Sequence, residues 1–267
     1  MEILRQGAHA QRARVALFDF DGTISTIRSG WVEVMVPMMV EELAGAKSGE
    51  SEDELTAIVR EFVGRLTGRQ TIYQMIELAE QMSKRGGTPK DPLEYKHRYL
   101  ELLWVRIKDR VEALEKGTAS PLDYVVPGSF ELLDALRERG LKFYLASGTD
   151  HEYMKREAHL LGLEKYFGEH IYGALDDYKS FSKAILIQQL INGAEAKGEE
   201  FLGFGDGYVE IENVRAVGGV TVGVASDEPA CLEVDEWKRG RLREVGADYI
   251  VPNFLCHREL LSALFPQ

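Results

Sequence analysis

Cysteine is close to absent: Cys231 and Cys256 are the only two in 267 residues, 25 positions apart. With no Cys-x-x-Cys pair and no Cys/His spacing around them, they give the pattern of neither a disulfide framework nor a zinc site. Reduced thiols in a cytoplasmic protein are the expectation. Long apolar runs are missing as well. The most apolar stretch, residues 31–40, is 10 residues long and contains Pro37, too short to span a bilayer. Residues 1–14 are polar, carry Arg5, Arg12 and Arg14, and lack the apolar core of a signal peptide. Positive charge is scarce too, with 32 Lys and Arg against 44 Asp and Glu and a formal net charge of −12. The absence of a basic stripe argues against a nucleic-acid partner. It does not argue against small anions, because a bound cation can reverse the field inside a pocket.

What is present is a 45% hydrophobic fraction, enough for a real core, and one stretch around which the rest is organised. Val15-Ala16-Leu17-Phe18 runs without alternation into Asp19-Phe20-Asp21-Gly22-Thr23. An unbroken apolar run of this length reads as a strand buried on both faces, as in a parallel sheet under helices. Open α/β sheets keep their sites at the carboxyl ends of such strands, which is where Asp19 and Asp21 stand. Gly22 permits positive φ or close ligand approach, and Thr23 offers a hydroxyl and an N–H to an anion. Two carboxylates aimed at one point repel unless a proton or cation separates them. A hard divalent cation with oxygen ligands, Mg²⁺ above all, suits that position.

Residues 1–14 read as a short surface helix or a loose leader. After Thr23 about a hundred residues show helical spacing, with helices expected over 30–46, 52–67, 71–85 and 92–116. Ser51 with Glu54 forms a capping-box pattern, and Gly86-Gly87 before Pro89 a helix stop. This block is expected to be an all-helical insertion covering 26–121, hinged at 25–29 and 118–126. From Pro127 onward helix and strand alternate. Helices are expected at 128–139, 151–161, 182–191, 210–217 and 257–264, and strands at 141–146, 170–174, 201–204, 220–224 and 249–251. Strands separated by helices imply a parallel sheet with right-handed crossovers. The expected fold is therefore α/β, a doubly wound parallel sheet formed by 1–25 and 122–267, carrying an inserted helical cap.

Asp-Phe-Asp-Gly-Thr after an apolar strand resembles the first signature of the haloacid dehalogenase superfamily, most of whose members are Mg²⁺-dependent phosphohydrolases. Three further signatures follow in order. Leu145-Ala146-Ser147-Gly148-Thr149-Asp150 resembles the second, in which Ser147 and the Gly148 N–H would receive phosphoryl oxygens. The third is a lysine opening a helix. Lys183, 23 residues before Asp206 and heading an apolar segment, is preferred over Lys179. Phe204-Gly205-Asp206-Gly207-Tyr208-Val209-Glu210 resembles the fourth. Asp206 would bind the metal, while Glu210 would bind it directly, act through water, or orient another ligand. The resemblance covers the core from Val15 to about Val224 and is closest to the phosphoglycolate phosphatase and beta-phosphoglucomutase group.

That resemblance implies a phosphatase working through an aspartyl-phosphate on a small phosphorylated metabolite. Asp19 would be the nucleophile, Asp21 the general acid and base, and Lys183 the cation between nucleophile and phosphate. Asp19, the Asp21 carbonyl and Asp206 would hold Mg²⁺. The cap would contact the leaving group, with Arg28 near the hinge and Arg69 between two cap helices as candidate contacts. A sugar-phosphate mutase would use the same residues, and a non-catalytic phosphate-binding module remains an alternative from another class. Dehalogenation and phosphonate cleavage do not call for an acid at Asp21. Oligomeric state is left open by the sequence.

Overall fold

The computed structural model describes residues 1–175, 182–193 and 196–266. In chain order the elements are β1 (Glu2–Ile3), β2 (Val15–Phe18), α1 (Val32–Ala44), α2 (Glu52–Leu66), α3 (Thr71–Lys84), α4 (Pro92–Glu115), α5 (Ser129–Glu138) and β3 (Lys142–Asp150). There follow α6 (His151–Leu160), α7 (Glu164–Phe167), β4 (Ile171–Ala174), α8 (Lys183–Asn192), β5 (Phe201–Gly205), α9 (Tyr208–Ala216), β6 (Val220–Val224), α10 (Glu236–Glu244), β7 (Tyr249–Val251) and α11 (His257–Leu264). Among the described residues no helix is long and apolar enough to cross a membrane.

The seven strands form one sheet in the order β1-β7-β6-β5-β2-β3-β4, parallel throughout except for β1 on β7. This is the expected doubly wound α/β architecture. β2 lies between β3 and β5, and all four of its residues are buried. Its alternate side chains feed two separate clusters, which is why the apolar run has no polar face. Val15 and Leu17 pack with Leu186, Ile187 and Leu190 of α8. Ala16 and Phe18 join the larger cluster on the other side, where the Phe18 ring stacks on Phe204 at 4.4 Å and meets Phe167 edge-on at 5.8 Å.

Helices α1–α4 follow β2 and fall within two residues of their expected bounds. Ser51 accepts from the Glu54 N–H while the Glu54 carboxylate accepts from Ser51, completing the capping box. The segments entering and leaving the helical block run side by side, bridged antiparallel at Ser25 and Val125. The buried cluster is continuous from Phe18 and Phe20 through Ile24 and Ile27 to Met35, Met39 and Leu103.

Three local expectations are corrected. The first residues form neither a helix nor a loose leader: Glu2 and Ile3 pair with Ile250 and Tyr249 as an edge strand. β3 continues through Ser147-Gly148-Thr149 to Asp150, past the expected strand end at 146, and its pairing with β4 shifts register between Ala146 and Asp150. The polar residues there sit on a distorted ladder end. Finally, α10 had no counterpart in the sequence reading. It is rich in charge, has Gly240 in its middle and buries only Leu242, so it carries no apolar periodicity to detect.

Candidate active site

Three strand ends and one helix start converge on one cavity of about 90 Å³. Asp19 and Asp21 come from the end of β2, Ser147, Gly148 and Thr149 from β3, Lys183 from the first position of α8, and Asp206 from the end of β5. Arg28 and Arg69 also line it, as do Trp31, Thr71, Gln74 and Tyr99 of the helical block. The geometry joins residues up to 187 positions apart in the chain, from Asp19 to Asp206. Thr23 and Glu210 are not among the lining residues. Lys179 lies outside the described residues.

The turn after β2 explains how the two aspartates reach one space. Gly22 adopts φ +73, and a Cβ there would meet the Asp206 Oδ2 at 2.3 Å. Only glycine lets the Asp206 carboxylate come this close to the β2 turn. Thr23 completes that turn rather than facing an anion. Its N–H donates to the Phe20 carbonyl and its Oγ1 accepts from the Asp206 N–H at 2.9 Å. The expected Thr23 contact with substrate is replaced by a buried tie between the first and fourth signatures.

Ser147 likewise has a local partner. Its Oγ donates to Asp21 Oδ2 at 3.0 Å, and Thr149 Oγ1 donates to the same oxygen at 2.8 Å. The other oxygen of Asp21, Oδ1, is buried and accepts no hydrogen bond among the described residues. Gly148 meets the helical block directly: a Cβ on it would lie 2.5 Å from the Arg69 carbonyl oxygen. Arg69 in turn donates to the Tyr208 hydroxyl at 2.9 Å.

The electrostatics fall into three rows, each an aspartate, a buried cation and a glutamate behind it. Arg28 Nη2 donates to Glu157 Oε1 at 2.7 Å and its Nε lies 3.9 Å from Asp21 Oδ1. Lys183 Nζ donates to Asp19 Oδ1 at 2.8 Å and contacts Glu210 directly. Lys238 Nζ lies 3.0 Å from Asp206 Oδ2 and 2.7 Å from Glu228 Oε1. The aspartates face the cavity; Glu157, Glu210 and Glu228 do not line it. Glu210, fully buried on α9, therefore reaches the site through Lys183.

Burial pushes the Asp19 carboxyl up to about 7; Lys183 opposes that rise and Asp206 adds to it. Burial also raises Asp21, against the pull of Arg28, with Glu157 adding to the rise. Burial disfavours the Lys238 ammonium, but Asp206 and Glu228 outweigh it and hold the group protonated. The mutual repulsion of Asp19, Asp21 and Asp206 in this enclosed space is what a divalent cation would relieve. All the available donors are oxygens, as Mg²⁺ prefers. Among the described residues no three acidic, histidine or cysteine side chains form a ready-made metal cluster. A set of two carboxylates, one backbone carbonyl and water fits Mg²⁺, which commonly keeps several waters.

Sequence reasoning missed Thr149 as an Asp21 partner, and also Glu157, Glu228 and Lys238. Glu157 was visible only as one more charge on a helix. Glu228 and Lys238 lie beyond the four signatures, on the loop after β6 and on α10.

Comparisons with known proteins accord with this geometry. Residues 13–218 match the family model of haloacid dehalogenase-like hydrolases. Among curated proteins none matches the chain. Among solved structures, the chain is similar to a beta-phosphoglucomutase from Clostridium difficile, with TM-score 0.62 and 14% identity over 94% of this chain and 97% of that one. A predicted phosphoglycolate phosphatase from Haemophilus somnus gives TM-score 0.57 and 13% identity over 93% and 98%. A conserved haloacid dehalogenase-like protein of unknown function from Agrobacterium tumefaciens gives 0.59 and 17% over 94% and 99%. At such identities the likeness speaks for the fold alone. The family model, whose match takes in Asp19, Ser147, Lys183 and Asp206, places the chain in the haloacid dehalogenase-like hydrolases.

Proposed function

We propose that this hydrolase is a Mg²⁺-dependent phosphatase that cleaves a small phosphate monoester through a phosphorylated Asp19. The observation that carries the reading is the meeting of Asp19, Asp21, Lys183 and Asp206 around a single cavity. Asp19 attacks phosphorus in line, the ester P–O bond breaks, and Asp21 gives its proton to the leaving oxygen. Asp21 then takes a proton from water, which attacks the phosphorus and frees Asp19. Asp21 suits both steps, since two hydroxyls fix Oδ2 while Oδ1 accepts no hydrogen bond among the described residues, and burial raises the carboxyl's pKa. Lys183 keeps Asp19 available as a carboxylate against the effect of burial and neutralises an approaching phosphate. Asp19, Asp206 and the Asp21 carbonyl would hold Mg²⁺, which when bound offsets charge between carboxylate and phosphoryl oxygens.

The helical segment 26–121 acts as a cap on the core formed by 1–25 and 122–267, excluding water and facing the leaving group. Arg28, Arg69, Gln74 and Tyr99 are its polar surface toward substrate.

A panel of small phosphate monoesters tests the reading by release of inorganic phosphate. Turnover of at least one ester is expected, with a fall on the order of 100-fold on chelation and recovery on adding Mg²⁺. Silence across the panel, or indifference to chelator, would overturn it. Gly148→Ala tests the cap. Its new methyl must push the Arg69 loop off β3, so kcat/KM should drop on the order of tenfold or more while the melting temperature barely moves. A value within twofold of wild type would mean that this close contact is not part of the working enzyme.

A further inference from the structure

Three cations stand behind the three cavity-facing aspartates, and two of them, Arg28 and Lys183, themselves line the cavity. Lys238 does not. Its side chain is 13% exposed, held by Glu228 at 2.7 Å and by Asp206 at 3.0 Å. Glu228 is fixed from its other side by the Ser29 hydroxyl, which donates to Oε2 at 2.7 Å. The helix that carries Lys238 is anchored too. The Trp237 ring packs over Gly64, and Arg241 donates to the Gly64 carbonyl. This ammonium is therefore built in place, against one oxygen of Asp206 and outside the lining of the cavity.

We infer that Lys238 is a positioning residue that competes with the divalent cation for Asp206, and that Glu228 sets the strength of this competition by sharing the ammonium. This rests on the reading of Asp19 and Asp206 as metal ligands. A monovalent cation beside a metal-binding carboxylate does two things. It occupies a lone pair the metal would use, and it repels the incoming charge at short range in a weakly screened space. Glu228 works in the opposite sense, since it draws the ammonium away from Asp206 and adds a negative charge nearby. The pair makes the site weaker and more readily exchanged than its carboxylates alone would be, while keeping Asp206 in place when no metal is bound. The signature of this arrangement is that neutralising its two members moves metal affinity in opposite directions. A merely structural role would weaken binding in both variants.

The test measures binding of Mn²⁺ alone, without substrate, by loss of the free-ion paramagnetic resonance signal at one fixed pH. Folding of each variant is checked by circular dichroism. Lys238→Met should lower the Mn²⁺ dissociation constant about tenfold, and Glu228→Gln should raise it about tenfold. Lys238→Arg, which retains the charge, should stay within about threefold of wild type. Shifts of the same sign in Lys238→Met and Glu228→Gln, or no shift in either, would overturn the inference. Should Lys238→Met not fold, Glu228→Gln decides alone, and unchanged or tighter binding there overturns it. Asp206→Asn separates the two levels. If wild type binds Mn²⁺ no better than Asp206→Asn, the metal reading itself fails and the inference goes with it. If only Asp206→Asn loses binding while the Lys238 and Glu228 variants do not move, the metal reading stands and the inference falls.

Discussion

Asp19→Asn should lose phosphatase turnover by about 10⁵-fold or more while keeping its fold. The amide is nearly isosteric, so β2 and its packing of Phe18 on Phe204 are undisturbed. What disappears is the atom that bonds to phosphorus. Monoester hydrolysis without a catalyst is so slow that an enzyme must lower its barrier by on the order of 20 kcal/mol. A share of that comes from substrate binding and the charge of Lys183, which the variant retains, so trace activity above water is compatible with the assignment. Lys183 keeps a carboxylate partner in Glu210, so the substitution strands no buried charge. The check is single-turnover phosphate release together with mass spectrometry of trapped protein. Wild type should carry one phosphoryl group on Asp19, and the variant none. Turnover within tenfold of wild type would remove Asp19 from the nucleophile's role.

Glu157→Ala should be the most damaging of the single substitutions for stability, at about 3–5 kcal/mol. The Arg28 and Glu157 side chains are 8% and 4% exposed, and the guanidinium makes its hydrogen bonds through Nε and Nη2 to this one carboxylate. Burial disfavours the Arg28 charge, and Glu157 outweighs it with the help of Asp21. Without Glu157 the charge stays inside with Asp21, at 3.9 Å, and the face of the Tyr153 ring, at 5.6 Å, to offset it. A lower urea midpoint is expected, and the double variant Arg28→Met/Glu157→Leu should recover at least half the loss, because it removes both charges at once. An unfolding free energy for Glu157→Ala within about 1 kcal/mol of wild type would show that water reaches Arg28 freely.

How far the sequence disclosed the fold can be judged residue by residue. Val15–Phe18 was legible because a strand covered on both faces has to be apolar at every position, and no surface element imitates that. The helices α1–α4 were legible because each keeps one apolar face. Glu2 and Ile3 were not, since their strand exists only through pairing with Tyr249 and Ile250 at the far end of the chain. Ser147-Gly148-Thr149 fell outside the expected strand because polar residues at the end of a buried ladder resemble a loop, and their pairing with β4 is irregular. The cavity-facing aspartates were visible in their motifs. The glutamates behind them were not, because a charge on a helix gives no hint of which buried cation it will meet. Thr23 shows the complementary failure. Its N–H and hydroxyl were anticipated for a ligand, yet the N–H goes to the Phe20 carbonyl of the same turn and the hydroxyl oxygen accepts from the Asp206 N–H.

The sheet's two rims differ from its middle in a way that bears on how the protein behaves in concentrated solution. One rim is the two-residue antiparallel β1, tied by Arg5 to Asp248 at 2.5 Å, and the other is the four-residue β4 with its broken register. A flat, lengthy border of unused amides would invite strands from other molecules to extend the sheet, and short or distorted borders deny them that foothold. Loss of Glu2 and Ile3 would leave the outer amides and carbonyls of Tyr249 and Ile250 on β7 without strand partners.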